Sequence, residues 1–217
     1  MVLTSLLLLL ALLVPFQATA QNSIDELRPR AEKGEVNAQT RLGFFYRQGQ
    51  GVKQDYSEAA RWFAAAAAQG GHYAQTQLGV MYEEGKGVPK DYAKALQLYR
   101  SASDQGNASA QYYLGTMYSN GTGIAKDDSA AVRWFRASAE QGNRDAQFSL
   151  GSLYVFARGV PRDFVEAHFW LSLAAAGDDE RKEYTSGRDG VAKKLTAEQL
   201  AESQRRVQAW KPTRGDR

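Results

Sequence analysis

The dipeptide Leu-Gly recurs at Leu42-Gly43, Leu78-Gly79, Leu114-Gly115 and Leu150-Gly151, with a step of 36 residues each time. Ala-Gln keeps the same step at Ala38-Gln39, Ala74-Gln75, Ala110-Gln111 and Ala146-Gln147. So do Tyr46, Tyr82, Tyr118 and Tyr154, the turn glycines Gly51, Gly87, Gly123 and Gly159, and the acids Asp55, Asp91, Asp127 and Asp163. Ala59, Ala95, Ala131 and Ala167 form a small column, and Trp62, Leu98, Trp134 and Trp170 a bulky one. No residue is inserted or lost between copies. Such a period means a tandem array of one supersecondary unit, which cannot bury its apolar face alone and must stack on its neighbours.

Each unit reads as two antiparallel helices, so the fold class is all-α. In the first copy Asn37 to Gln48 places Ala38, Leu42, Phe45 and Tyr46 on one stripe at helical spacing. Gly49 and Gly51 end that helix. The second starts at Asp55, a good N-cap, turns Ala59, Trp62, Phe63, Ala66 and Ala67 inward, and stops at Gly70. The same register decides what Gly85-Lys86-Gly87 is. It aligns with Gly49-Gln50-Gly51 and Gly121-Thr122-Gly123, the lysine is not kept, and the last copy reads Ala157-Arg158-Gly159. The glycines therefore serve a turn that needs positive φ, not a phosphate cradle.

The ends depart from the period. Ser23-Ile24-Asp25-Glu26 is a capping box that opens a short helix ending at Gly34, the second half of a missing unit. The four copies fill residues 35–177, and capping helices fill 178–210. The segment from Asp178 to Lys194 reads as one helix with a break around Thr185 to Gly190. Thr196-Ala197-Glu198-Gln199 is a second capping box, opening a last helix toward Trp210, and residues 211–217 read as a frayed polar tail. Residues 1–20 read as a cleaved signal peptide: the apolar run Leu6 to Val14 is nine residues long, and Ala18-Thr19-Ala20 leaves Gln21 as the new N-terminus. That run is too short for a bilayer core, which needs roughly 20 residues, so the mature chain is expected to lack a transmembrane segment.

Composition excludes several function classes. There is no cysteine, hence no disulfide scaffold, thiol nucleophile, thiolate metal site or lipidated cysteine. The net charge of +3 is spread along the chain, so nothing argues for nucleic acid. No Gly-x-Ser-x-Gly, Ser-x-x-Lys or His-Glu-x-x-His motif occurs. His72 and His168, the two histidines, are nearly 100 residues apart and read as surface and packing residues. The sequons at Asn107 and Asn120 read as turn chemistry. No catalytic, cofactor or metal residue is therefore assigned, and the chain is not expected to be an enzyme.

The pattern AQxxLGxxY, GxGV, an Asp, an Ala with an aromatic, and AAxQG resembles the Sel1-like repeat family, relatives of tetratricopeptide repeats. The resemblance covers about residues 21–210, and the stretch from Ala167 to Trp210 is similar to the terminal segment of bacterial members. It implies a right-handed α-solenoid that binds a protein or peptide and acts as a scaffold or adaptor. Together with the leader it points to a periplasmic or secreted monomer. An envelope enzyme or carbohydrate-binding accessory acting on peptidoglycan is the alternative. By analogy with tetratricopeptide repeats, the first helix of each unit lines a concave groove. The stripe opposite the core columns holds Phe44 and Arg47; then Thr76, Glu83 and Glu84; then Tyr112 and Asn120; then Phe148 and Phe156. Aromatics on a face that should be wet mark an interface. For Phe148 and Phe156, cover by the C-terminal cap is the competing reading.

Overall fold

The computed structural model describes residues 24–177 and 181–213. The leader, the new terminus at Gln21, the Ser23 half of the first capping box, residues 178–180 and the last four residues of the tail lie outside the described residues. Regular structure among the described residues is entirely helical. It falls into two units, one running to Ala102 and the other from Ser103.

Unit 1 contains α1 (residues 24–32), α2 (Val36–Gln48), α3 (Tyr56–Ala68), α4 (His72–Glu84) and α5 (Tyr92–Ser103). Each pair is set by the repeat columns. The first helix of a pair ends on a left-handed glycine, Gly49 at φ 69° and Gly85 at φ 73°. The second opens on an aspartate: Asp55 Oδ1 accepts from the Ser57 and Glu58 N–H groups, and Asp91 Oδ1 from that of Lys94. The Asp55 and Asp91 N–H groups in turn donate to the Tyr46 and Tyr82 carbonyls, each at 2.9 Å. The loop is thus tied at both ends.

The Leu-Gly glycine brings the two helices together. A Cβ on Gly43 or Gly79 would stand 2.6 Å from a ring carbon of Phe63 or Tyr99, so only a bare Cα admits the aromatic. The Ala-Gln glutamine joins successive pairs. Gln39 Nε2 donates to the Ala31 carbonyl at 3.0 Å and Gln75 Nε2 to the Ala67 carbonyl at 3.3 Å. Those carbonyls lie in the last turn of the preceding helix, where the Gly34 and Gly70 N–H groups also donate to them, each at 3.0 Å. The recurring glutamine is therefore a buried hydrogen-bond plug, a role that its polarity did not announce.

Unit 2 contains α6 (Ala108–Asn120), α7 (Asp128–Glu140), α8 (Arg144–Phe156), α9 (Phe164–Ala175), α10 (Lys182–Ala192) and α11 (Ala197–Ala209). The same devices return: Asp127 and Asp163 cap α7 and α9, Gly115 and Gly151 face Phe135 and Leu171, and Gln147 Nε2 donates to the Ala139 carbonyl at 3.1 Å. Ala157 holds the left-handed turn at φ 54° in place of a glycine, a strain of about 1 kcal/mol.

Two expectations about the C-terminal segment are corrected. First, α10 runs unbroken through Gly187 and Gly190. Gly187 lies 36 residues after Gly151, so it continues the Leu-Gly column and α10 is a degenerate fifth first helix. Its missing side chain lets α10 approach Phe148 and Leu171: a Cβ there would stand 3.3 and 3.4 Å from them. Packing overrides the weak helix propensity of glycine. Second, the described start of the tail is docked. The Thr213 N–H and Oγ1 both donate to the Glu140 carbonyl, at 2.8 and 3.0 Å, and Trp210 packs against the unit 2 core. The second capping box forms, with Thr196 and Gln199 exchanging hydrogen bonds.

Candidate functional site

The candidate groove residues divide between the units. In unit 1 the face is closed by its own side chains. Phe44 lies edge-on to Phe63 with ring centroids 5.2 Å apart. The Arg47 guanidinium sits 5.3 Å over the Phe44 ring and donates to Gln77 Oε1 on the next first helix. Thr76 is 1% exposed, and its hydroxyl donates to the His72 carbonyl at 2.9 Å. It is withdrawn from the surface set: its hydroxyl is satisfied within its own helix, so the side chain is buried at little cost. Glu83 accepts from the Tyr99 hydroxyl at 2.8 Å, and Glu84 pairs with Lys86 at 2.9 Å.

In unit 2 the same register is open. Tyr112, Thr116, Ser119 and Asn120 of α6 and Phe148, Ser149, Ser152 and Leu153 of α8 line a cavity of about 240 Å³, together with Phe135 and Arg158. Three of the residues singled out from sequence, Tyr112, Asn120 and Phe148, line it. The hydroxyls are arranged in one sense. Thr116 donates to the Tyr112 carbonyl at 3.1 Å, Ser149 to Asp145 at 2.8 Å and Ser152 to Phe148 at 2.9 Å. Their hydrogens are spent on the helix, so they present lone pairs to the cavity. Arg158 is fixed by Asp128, at 2.5 Å from Oδ1, and by Ser119. That hydrogen bond, ahead of the charge itself, holds the Asp128 carboxyl below the usual carboxylate range.

Phe148 is only partly available, as the competing reading of cover by the C-terminal cap expects. Tyr184 of α10 stacks on it at 4.8 Å and 30°, while Arg181 and the Tyr184 hydroxyl bond Asp145. Burial, then the Asp145 hydrogen bond, raises the Tyr184 pKa. Sequence reasoning missed this partner, although Tyr184 stands 36 residues after Phe148. Phe156 lies beyond the cap and is 68% exposed.

Elsewhere the polar groups are structural. Lys86, in the stretch that could pass for a phosphate loop, pairs with Glu84 and lies over Tyr56. A Cβ on Gly87 would overlap the Tyr56 carbonyl, so this glycine is required by close approach as well as by its φ of 73°. His168 Nδ1 and Ser203 Oγ are 2.8 Å apart, a nucleophile–base spacing, but their exposures of 4% and 0% leave no room for a substrate. Burial, then Arg188, lowers the His168 pKa. Among the described residues no group of three or more His, Asp or Glu could hold a metal, and no helix is long and apolar enough to cross a membrane.

Tandem helix pairs of 36 residues with a variable first-helix face define a class of α-helical repeat protein. A family model described as Sel1 repeat matches residues 36–71, 72–107, 108–143 and 144–179, and the chain belongs to the Sel1 repeat family. A crystal structure of a Sel1 repeat protein from Oxalobacter formigenes is similar over 81% of this chain and 80% of that one, at 28% identity and a TM-score of 0.67. A Sel1 repeat protein of Klebsiella pneumoniae subsp. pneumoniae matches over 76% of this chain and 82% of its own, at 21% identity and a TM-score of 0.50, which shows the fold. A comparison with curated proteins found no match.

Proposed function

We propose that this chain is a protein-interaction scaffold that docks a partner protein or peptide on the α6–α8 face of unit 2, and that it works in the periplasm or as a secreted protein. Membership in a family whose proteins are generally interaction scaffolds supports the class. The observation that carries the site is the cavity itself: an aromatic wall at each side, hydroxyl lone pairs along it and no carboxylate in its lining. The Thr116, Ser149 and Ser152 hydroxyls accept hydrogen bonds there, so the surface suits a segment offering backbone N–H or side-chain amide donors. The missing carboxylate pair speaks against the peptidoglycan-cleaving alternative, which needs an acid and a base flanking the bond. The leader-like start supports export.

A photo-crosslinking residue placed at Ser152 tests the site in cells, with the same residue at Glu198 as the control. An adduct from position 152 that weakens about tenfold in affinity with Tyr112→Ala, helical content unchanged, is the expected result. Equal adducts from both positions, or none from 152, would overturn it. Export is tested separately: mass spectrometry should find Gln21 at the N-terminus, and an intact Met1 end defeats that part.

A further inference from the structure

Unit 1 carries an opening of its own, apart from its Phe44 stripe. At its first junction Arg28 Nη2 donates to the Tyr46 hydroxyl at 2.7 Å. Trp62 is buried beside α1 among Ile24, Leu27 and Leu42, and Arg61 lies 4.2 Å over its ring. The Tyr46 hydrogen bond first, then the nearby Glu32 and Glu58, raise the Arg28 pKa. Thirty-six residues later the neighbourhood is rewritten. Ala64 stands at the Arg28 position, Ala68 at Glu32, Lys94 at Glu58 and Leu98 at Trp62, while Tyr82 keeps the place of Tyr46. The later copies return to Arg136, Trp134 and Trp170, and Arg136 donates to the Tyr154 hydroxyl as Arg28 does to Tyr46.

Losing an arginine and a tryptophan leaves a cavity of about 390 Å³ among α3, α4 and α5. Ala67, Leu78 and Leu98 supply its apolar lining, and Lys94 and Gln97 its exposed rim. Among the described residues the Tyr82 hydroxyl has no hydrogen-bond partner, and the Lys94 ammonium stands 5.1 Å over its ring. Lys94 reaches Asp91 only at 3.6 Å in an exposed pair. Such a pair is worth little, so the ammonium is open to another anion. A guanidinium would be a poor guest, because both acids that balance Arg28 are gone and one has become a lysine. Arg28, Arg61, Glu32 and Glu58 balance one another, whereas Ala64, Gln97, Ala68 and Lys94 leave one positive charge at this junction.

We propose that this cavity captures the C-terminus of a partner polypeptide: an aliphatic last side chain fills the apolar lining, and the terminal carboxylate accepts from the Lys94 ammonium and the Tyr82 hydroxyl. A C-terminal residue carries both groups on one Cα, which matches an apolar lining bordered by Lys94 and Tyr82. A glutamate side chain would reach Lys94 but leave the apolar space unfilled. The inference is independent of the α6–α8 site, since no residue is shared.

The probe is a fluorescein-labelled octapeptide with a Gly-Ser body ending in Ala-Val-Leu and a free carboxylate, titrated by fluorescence anisotropy. Two controls are the same peptide as its C-terminal amide, and an amidated peptide with an internal glutamate. Saturable binding of the free acid below about 1 mM is expected, at least tenfold weaker for both controls and weakened by salt. Ala64→Arg with Leu98→Trp restores the side chains of the other copies and should keep the melting temperature while abolishing binding. Lys94→Glu, a surface change, should cost tenfold or more. No saturation by the free acid, equal binding of the amide, equal binding of the glutamate peptide, or binding that survives Ala64→Arg/Leu98→Trp would each overturn the proposal.

Discussion

Arg47 and Gln77 in unit 1 occupy the repeat positions that Ser119 and Ser149 occupy in unit 2. The long pair hydrogen-bonds across the two first helices and covers Phe44. The short pair leaves a cavity lined by Tyr112 and Phe148. The frames beneath share the aspartate caps of the second helices, the glycine against an aromatic or leucine and the glutamine plug. The difference teaches that the repeat columns fix a frame, while positions between them decide whether a face is filled or left open. The Ala64–Leu98 junction repeats the lesson apart from the Phe44 stripe, with the roles of the units exchanged.

The largest expected effect tests whether the frames really are equivalent. Gly87 and Gly159 both have positive φ, and a Cβ on either would overlap the backbone at the start of an earlier second helix, at Tyr56 and Asp128 respectively. Gly87→Val and Gly159→Val should each destabilise by about 3 kcal/mol or more, from strain and overlap together. Urea titration of both should give similar losses. A benign Gly159→Val beside an unfolded Gly87→Val would show that the units differ in backbone, not only in side chains.

Phe148 and Phe44 separate cover by a cap from cover by the unit's own core. Phe148→Ala removes the ring on which Tyr184 stacks and should cost about 3 kcal/mol, with faster amide exchange along α10. Phe44→Ala removes a half-buried ring held edge-on to Phe63 and should cost less, about 2 kcal/mol. Exchange in α10 that ignores Phe148→Ala would break the assignment of what seats that helix.

Grafting one face onto the other sharpens the comparison directly. Ser119→Arg with Ser149→Gln removes the Ser119 hydroxyl that Arg158 donates to and should cost about 1 kcal/mol, leaving the chain folded, and should suppress the crosslink from position 152. An undiminished crosslink would mean that the cavity is not the docking surface.

The smallest effect is a pH dependence centred on His168 of unit 2. His168 is buried with its pKa lowered, mainly by burial. On acidification the unfolded chain takes up the His168 proton near its ordinary value of about 6.5, before the folded chain does. The stabilisation is therefore complete above that value and is lost as pH falls toward the lowered folded pKa. Ser172 on α9, Arg188 and Asp189 on α10 and Ser203 on α11 are the groups around this ring. Amide exchange in α11 should rise on going from about pH 7.5 to about pH 5.5, and His168→Gln should flatten that rise.

The periodic elements were legible because the interactions that form them are local or recur at one fixed step. Asp55 caps its own helix, Gly49 ends its own helix, and Gly43 meets Phe63 within one pair. The C-terminal cap was harder to read because only fragments of the columns survive there, chiefly Gly187. A glycine that marks a break in isolation marks a close contact when a neighbour presses against it. The candidate face was legible as a stripe, but a stripe does not say which of its members are covered.

By itself the sequence determined an all-α array of four 36-residue helix pairs, the register of the caps and turns, and the turn role of Gly85-Lys86-Gly87. Those features follow from helix periodicity and backbone geometry, which act over a few residues. Only the tertiary structure decided that Thr76 is buried, that Tyr184 covers Phe148, that Arg47 closes one face and that Ser119 and Ala64 each border an open cavity. Whether a side chain fills or leaves a space depends on what stands about 30 to 40 residues away on the neighbouring helix, and that partner is set by stacking, not by the chain on either side of it.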